Sequence, residues 1–475
     1  MDFISGSFLL FLLITLIVYY CIPGKGQWIW LLLSGMFFYC SGSPKLVVFV
    51  LVSALTSYLW AVRFSTSKCL YLAVLILNAA LLLGLKLAAS TTPISVRLGL
   101  SRFAWLLPVG ISFYTLQIIA YMTDVRRGKC EAEKNFFRYL LFVTYFPQII
   151  QGPISRFDRL GKELYRPHKF DYAMFVGGFE LMLWGYFQKL VVADRANIMV
   201  NRLFGEYADY PGMYVVVAVV LYSLQLYADF NGCVCIVRGA SEMFGIRLAD
   251  NFERPYFSGS VQEFWRRWHM TLGGWLRDYI YIPLGGNRKG RVRKYFNIFM
   301  VFFVSGIWHG IGGTFFCWGL LQALYQIVGN IFMPVRDFIV RHLHIDREAF
   351  SHKLFKMLCT FGMIAFSWLF FRASNLTQSF AMIKNMFTTF NPWILWDQSL
   401  YMLGLDARNV WMLIFGAVTM LVVEILQTKM SLRVQFAKQG IMFRYGVLYI
   451  AIFVILIFGI YGPGYDAAQF IYGGF

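Results

Sequence analysis

Apolar residues dominate the chain in long runs near 7–22, 27–40, 44–62, 69–87, 103–123, 137–152, 172–193, 212–230, 295–308, 313–333, 355–372, 410–428 and 443–462. A bilayer crossing needs about 20 such residues as a helix. The pattern predicts an all-α polytopic membrane protein with roughly 10–13 spans or re-entrant helices, the shorter runs being tilted or buried within protein. The most polar connections are 153–171, 246–268, 285–295 and 334–354, and no fixed-period repeat or soluble insert interrupts the pattern. The expectation is a single membrane domain over 1–475, divided into N-terminal helices (1–100), a core (101–333), C-terminal helices (334–462) and a tail (463–475).

Composition agrees: of 475 residues 59% are hydrophobic and 14% charged, and mean hydropathy is +0.60. A soluble enzyme with one anchor is excluded. Lysine and arginine exceed aspartate and glutamate by 43 to 24. In a membrane chain such an excess marks cytoplasmic loops rather than a nucleic-acid surface. The connection 429–444 carries Lys429, Arg433, Lys438 and Arg444 with no acidic residue, so it is expected in the cytoplasm. The tail after the last run then lies outside the cell. Arg288, Lys289, Arg291, Arg293 and Lys294 form a second cytoplasmic cluster, which either meets membrane lipids or an acidic donor or serves only as a topology anchor. The eight cysteines form neither a disulfide framework nor a metal site, and no bound metal or cofactor is expected.

Two histidines stand out. His309 lies in VFFVSGIWHGIGGTFFCWGLL (301–321), which has no other ionisable side chain except the Cys317 thiol. An imidazole there needs a polar partner, a cavity or water, and reads either as a functional site or as a helix-packing hydrogen bond. His269 lies in QEFWRRWHMTLGGWLRDYIYIPLGG (262–286). At 100° per residue, Trp265, Trp268, Leu272, Trp275, Leu276 and Tyr279 form one stripe, with Arg266, Arg267 and Arg277 opposite and His269 at the margin. The segment predicts an amphipathic helix whose histidine either reaches a buried passage or is incidental. Asp278 and Asp229 are able to orient an imidazole or pair with an arginine, simple ion pairing being the alternative. No nucleophile elbow, phosphate loop or zinc-protease motif is present. A neutral imidazole in a membrane is suited to general-base activation of a hydroxyl toward an activated acyl group.

The segments PVGISFYTLQIIAYMTDVRRGKCEAEKNFFRYLLFVTYFPQIIQGPISRF (108–157), DFNGCVCIVRGASEMFGIRLADNFERPYFSGSVQEFWRRWHMTLGGWLRDYIYIPLGGNRKG (229–290) and SGIWHG (305–310) resemble the membrane-bound O-acyltransferase superfamily. The likeness is to its bacterial branch of alginate O-acetylation, peptidoglycan O-acetyltransferase and teichoic-acid D-alanylation proteins. The resemblance implies a ring of tilted helices around a thinned centre, with cytoplasmic and extracytoplasmic funnels meeting near the histidine. It also implies that His309 is the residue on which acyl transfer depends and His269 a second polar group that orients or polarises the thioester. Trp308, Trp265 and Trp268 then line the tunnel, and Asp278 and Asp229 give support. The chain departs from the family pattern at Gly313, Gln322 and Cys235, where relatives usually carry tryptophan, histidine and an acidic residue.

The expected activity is transfer of an acyl group, acetyl first, from a cytoplasmic thioester such as acetyl-CoA or an acyl carrier protein to a cell-surface polysaccharide. The expected setting is a bacterial plasma membrane, with an extracytoplasmic esterase-like acyltransferase as partner. The ending FIYGGF (470–475) resembles the tails of alginate-type members and of the small D-alanylation partner protein. It marks Tyr472 as an acyl carrier, because a phenol is a good leaving group; an aromatic tail at the interface is the alternative. Competing readings are D-alanyl transfer to teichoic acid, a lipid or protein acyltransferase, and a lipid-linked glycan transporter without acyl chemistry. The acyltransferase reading requires His309 to stand where two water-filled vestibules nearly meet.

Overall fold

The computed structural model describes residues 1–461 except 43 and 91, so Tyr472 lies outside the described residues. Among these residues the secondary structure is helical throughout, with no strand. Six helices are long and apolar enough to cross a membrane: Pro44–Arg63, Lys68–Ala89, Met213–Met243, Phe350–Arg372, Ala407–Gln427 and Ile441–Phe458. The number rises to eight when two bent pairs, Leu100–Leu106 with Ile111–Arg126 and Gly313–Ile331 with Met333–His342, each count as one span. Several apolar runs fold into helices shorter than a full crossing. Those at 7–22 and 27–40 become 16-residue helices, and 137–152 yields only the nine-residue Phe136–Thr144. Their apolarity reflects burial against protein as much as contact with lipid.

Two compact units divide the chain. The first comprises Met1–Leu190, Asp229–Ala249 and the chain from Met430. Several of its helices start where polar side chains satisfy the first amides: Ser5 accepts from Phe8 N–H, Asn135 from Phe137 and Arg138, and Asp171 from Met174. Tyr172–Tyr186 packs on residues 229–243 through facing glycines. A Cβ on Gly178 would come within 2.5 Å of the Gly239 carbonyl oxygen, and one on Gly185 within 2.5 Å of that of Gly232. This is small-residue packing, in which backbones replace side chains at the contact.

The second unit comprises Val191–Ala228 and Asp250–Lys429. At its heart Gly290–His309 and Gly313–Ile331 form an antiparallel pair joined by three residues. Gly319 lies against the Phe302 carbonyl and Gly306 against that of Phe315, with added Cβ atoms 2.6 and 2.8 Å from those oxygens. Phe302, Ile298 and Ala323 form the buried seam, flanked by Trp265 and Tyr281. The tight turn holds His309 at the end of its helix, beside the start of the next.

Candidate active site

The segment predicted as one amphipathic helix is two. Val261–Arg267 and Met270–Leu276 are separated at His269, which adopts a left-handed conformation (φ 45°, ψ 53°). The reason is local competition for amides. Ser260 caps the first helix by accepting from Glu263 N–H, and Glu263 returns a carboxylate oxygen to Gly259 N–H. The second helix is capped from a distance: Met270 N–H donates to the Asn251 carbonyl at 2.9 Å and Thr271 N–H to its side-chain oxygen at 3.1 Å. The chain therefore turns sharply at His269, and the helix continues into a π-helical stretch, Arg277–Tyr281.

The break leaves the predicted partition intact in outline. Trp268, Leu272, Trp275 and Leu276 are buried, whereas Arg266 and Arg277 are exposed. Trp268 packs among Phe252, Phe264, Tyr256 and Trp368 in the aromatic core, behind the wall of the cavity described next rather than on it.

A cavity of about 690 Å³ opens within this unit. Its lining includes Trp265, His269 and Ser305 together with three cations, Arg266, Arg277 and Lys294, and no carboxylate. Lys294 is steadied by donating to the Asn330 side-chain oxygen at 2.9 Å. Trp265 is fixed by a relay: its indole N–H donates to Gln322 at 3.0 Å, and the Gln322 amide donates to the Ser367 hydroxyl at 2.6 Å. Phe302, Ile298 and Val301 supply the apolar wall. A lining of this composition suits an anionic molecule with a long uncharged arm.

His269 is 1% exposed, and its Nδ1 lies 3.2 Å from the Asn251 side-chain oxygen. Burial holds its pKa down to about 3, so the ring is neutral at physiological pH. Its ring stands 6.0 Å from that of Trp308, which lies 4.7 Å from the ring of His309. His309 is 2% exposed and is enclosed further by Trp318, at 5.2 Å and perpendicular, and by Phe371 at 5.1 Å. The sequence places His309 at an open junction, whereas here the cavity is lined by His269 and by Ser305, one helical turn before His309. The aromatic rings that shield the imidazole close around it because they also form the core.

Of the predicted support, Asp278 lies half-buried in the π-helical stretch and does not line the cavity. Asp229 belongs to the first unit, where it forms a buried ion pair with Lys189 at 2.6 Å. Sequence reasoning missed Asn251, Ser305, Trp318 and Phe371, and it marked Gln322 only as a departure from the family pattern. Only Ser305 carried a readable signal, its i,i+4 relation to His309 on one helix.

This arrangement of a buried histidine pair beside a cationic, apolar-walled cavity sits within residues 132–374, which match the sequence profile described as MBOAT, membrane-bound O-acyltransferase family. The match covers just over half of the chain, and the protein belongs to this family. With its apolar helices it is a multi-pass membrane protein. It is 31% identical over 393 residues to the peptidoglycan O-acetyltransferase of Helicobacter pylori, covering 75% of this chain and 73% of that protein. Identity to the probable alginate O-acetylase AlgI of Pseudomonas syringae pv. tomato is 35% over 289 residues, or 61% of this chain and 53% of the relative. The teichoic acid D-alanyltransferase of Bacillus subtilis is 27% identical over 242 residues, covering 47% and 59%. The chain thus matches about half the length of the alginate relative.

Proposed function

We propose that this protein transfers an acyl group, acetyl first, from a cytoplasmic thioester across the bacterial plasma membrane for O-acylation of a cell-surface polysaccharide. The cavity carries this reading: three cations and no carboxylate, an apolar wall, a neutral buried histidine, and a lining serine one turn from a second histidine. The phosphates of acetyl-CoA, or of a pantetheine arm on a carrier protein, meet Arg266, Arg277 and Lys294, and the uncharged arm runs past Trp265 toward His269.

In the transfer step an acceptor hydroxyl oxygen attacks the thioester carbonyl carbon, and its proton passes to neutral His309. The carbon–sulfur bond breaks, and the departing thiolate takes the proton back from the imidazolium. The family resemblance supports His309 as the base. Tyr472, in the FIYGGF motif (470–475), is the first acceptor on the outer side, and an extracytoplasmic esterase-like acyltransferase then passes the group to the glycan. The peptidoglycan and alginate acetylating relatives support a cell-surface polymer as final acceptor.

The test is reconstitution in sealed vesicles with radiolabelled acetyl-CoA on one side. Label is expected on the protein's C-terminal peptide, and on glycan when the outer partner is added, with none for His309→Ala. Transfer by that variant at the wild-type rate retires the proposal.

A further inference from the structure

One oxygen of Asn251 serves three groups. Its Oδ1 accepts from Thr271 N–H at 3.1 Å and from the Thr271 hydroxyl at 2.9 Å, and it lies 3.2 Å from Nδ1 of His269. A backbone amide only donates, so the Asn251 atom facing it is the carbonyl oxygen and not the NH₂ group. An amide oxygen only accepts, so His269 Nδ1 must carry a proton. A neutral imidazole has one N–H, which makes Nε2 the atom with the lone pair.

The backbone works to the same end. The Asn251 carbonyl accepts Met270 N–H at 2.9 Å, so one residue caps the Met270–Leu276 helix and fixes the ring at its first position. The left-handed turn at His269 is held by these bonds and by Gly273 N–H donating to the His269 carbonyl at 3.0 Å.

We propose that Asn251 is a positioning residue that locks His269 in its Nδ1–H tautomer, leaving Nε2 as the accepting atom of the ring. For its functional consequence this rests on the acyl-transfer reading. A ring without a proton on Nε2 cannot donate to a thioester carbonyl, so His269 orients the donor by accepting, for instance from an amide N–H of a pantetheine arm, and does not polarise the carbonyl. Burial keeps the ring neutral, so the assignment holds across physiological pH.

The tautomer is read directly by nitrogen NMR on ¹⁵N-histidine-labelled full-length protein in lipid nanodiscs, the His269 signals being assigned by their loss in His269→Gln. Wild type is expected to show a protonated, pyrrole-type Nδ1 and an unprotonated, pyridine-type Nε2. Asn251→Leu removes the accepting oxygen; it should lose that signature and slow acetyl transfer from acetyl-CoA about 10–100-fold, the usual range for an orienting partner of a functional histidine. Asn251→Asp keeps an oxygen for all three donors and should restore both signature and transfer. A protonated Nε2 in wild type, or an unchanged signature in Asn251→Leu, overturns the proposal. Should Asn251→Leu fail to fold, the wild-type and Asn251→Asp spectra still decide. If the spectra come out as expected while no variant transfers acetyl, the tautomer assignment stands and the acyl-transfer reading falls.

Discussion

The imidazole of His309 and the indole of Trp318 meet at a right angle, with ring centroids 5.2 Å apart. The contact crosses from the end of one helix into the next, and the short connection between them makes it possible. Edge-to-face packing of this kind holds a ring in one orientation. In the proposed role of general base, a ring so held contributes about 10²–10⁴-fold to rate. His309→Ala should therefore lower acetyl transfer by at least about 10²-fold. His309→Gln should do the same while keeping the unfolding midpoint near that of wild type, because it fills the space. Initial rates with labelled acetyl-CoA and thermal unfolding of the same preparations measure both.

His269 makes one contribution to the pH dependence of stability. Its pKa is about 3 when folded, below the ordinary value near 6.5. Between those values the unfolded chain binds a proton that the folded one does not, so stability falls as pH drops through this window and the full contribution is present above it. The slope from this one group is at most about 1.4 kcal/mol per pH unit. Unfolding midpoints in detergent should decline below about pH 6.5, and His269→Gln should flatten the decline. Equal slopes for the two proteins would remove His269 as its source.

Sequence reasoning reached the helical class, both histidines and the opposition of Trp268 and Trp275 to Arg266 and Arg277, because helical periodicity and the oddity of an imidazole in an apolar run are local properties. It mistook Gln262–Gly286 for one helix because the break depends on Asn251, 18 residues before His269, supplying the amide acceptors. Asp229 illustrates the same limit from the other side. Its charge was plain, but its buried partner Lys189 lies 40 residues away. The aromatic enclosure of His309 by Trp318 and Phe371 likewise joins separate helices, and no periodicity in either one announces it.

Gly319 fixes how close the two central helices come. A Cβ there would lie 2.6 Å from the Phe302 carbonyl oxygen, a backbone atom that has no rotamer with which to yield. Gly319→Ala should push the helices apart and destabilise by about 1–3 kcal/mol, the range for overpacking a filled core. Gly329, on the same helix but with open space around it, should accept alanine without loss. Thermal unfolding of the two variants side by side provides the comparison.

Gln322 joins Trp265 to Ser367, at 3.0 and 2.6 Å. Gln322→Leu leaves the Trp265 indole without its acceptor, a loss of about 1–3 kcal/mol, while the Ser367 hydroxyl keeps its bond to the Ile364 carbonyl. Because Trp265 lines the cavity, its loosening should also raise KM for acetyl-CoA more than it lowers kcat. A variant that loses stability while KM stays unchanged would show that the relay supports the core and not the donor.

The cavity's cations make a prediction that salt can test. Arg266 and Arg277 are exposed, and with Lys294 they meet no carboxylate on the cavity wall, so their field is available to a charged ligand. Exposed charges attract over a distance that shrinks from about 30 Å at 0.01 M salt to about 8 Å at 0.15 M. KM for acetyl-CoA should accordingly rise with ionic strength, and Arg277→Gln should raise KM at low salt while leaving kcat near wild type, because in the proposed reading the arginine binds the donor without entering the chemistry. The difference between wild type and Arg277→Gln should narrow as salt increases. An uncharged thioester that lacks the nucleotide phosphates serves as the control. Its KM should be high and insensitive both to salt and to the substitution, and equal salt dependence for the two donors would mean that the cations do not bind phosphate.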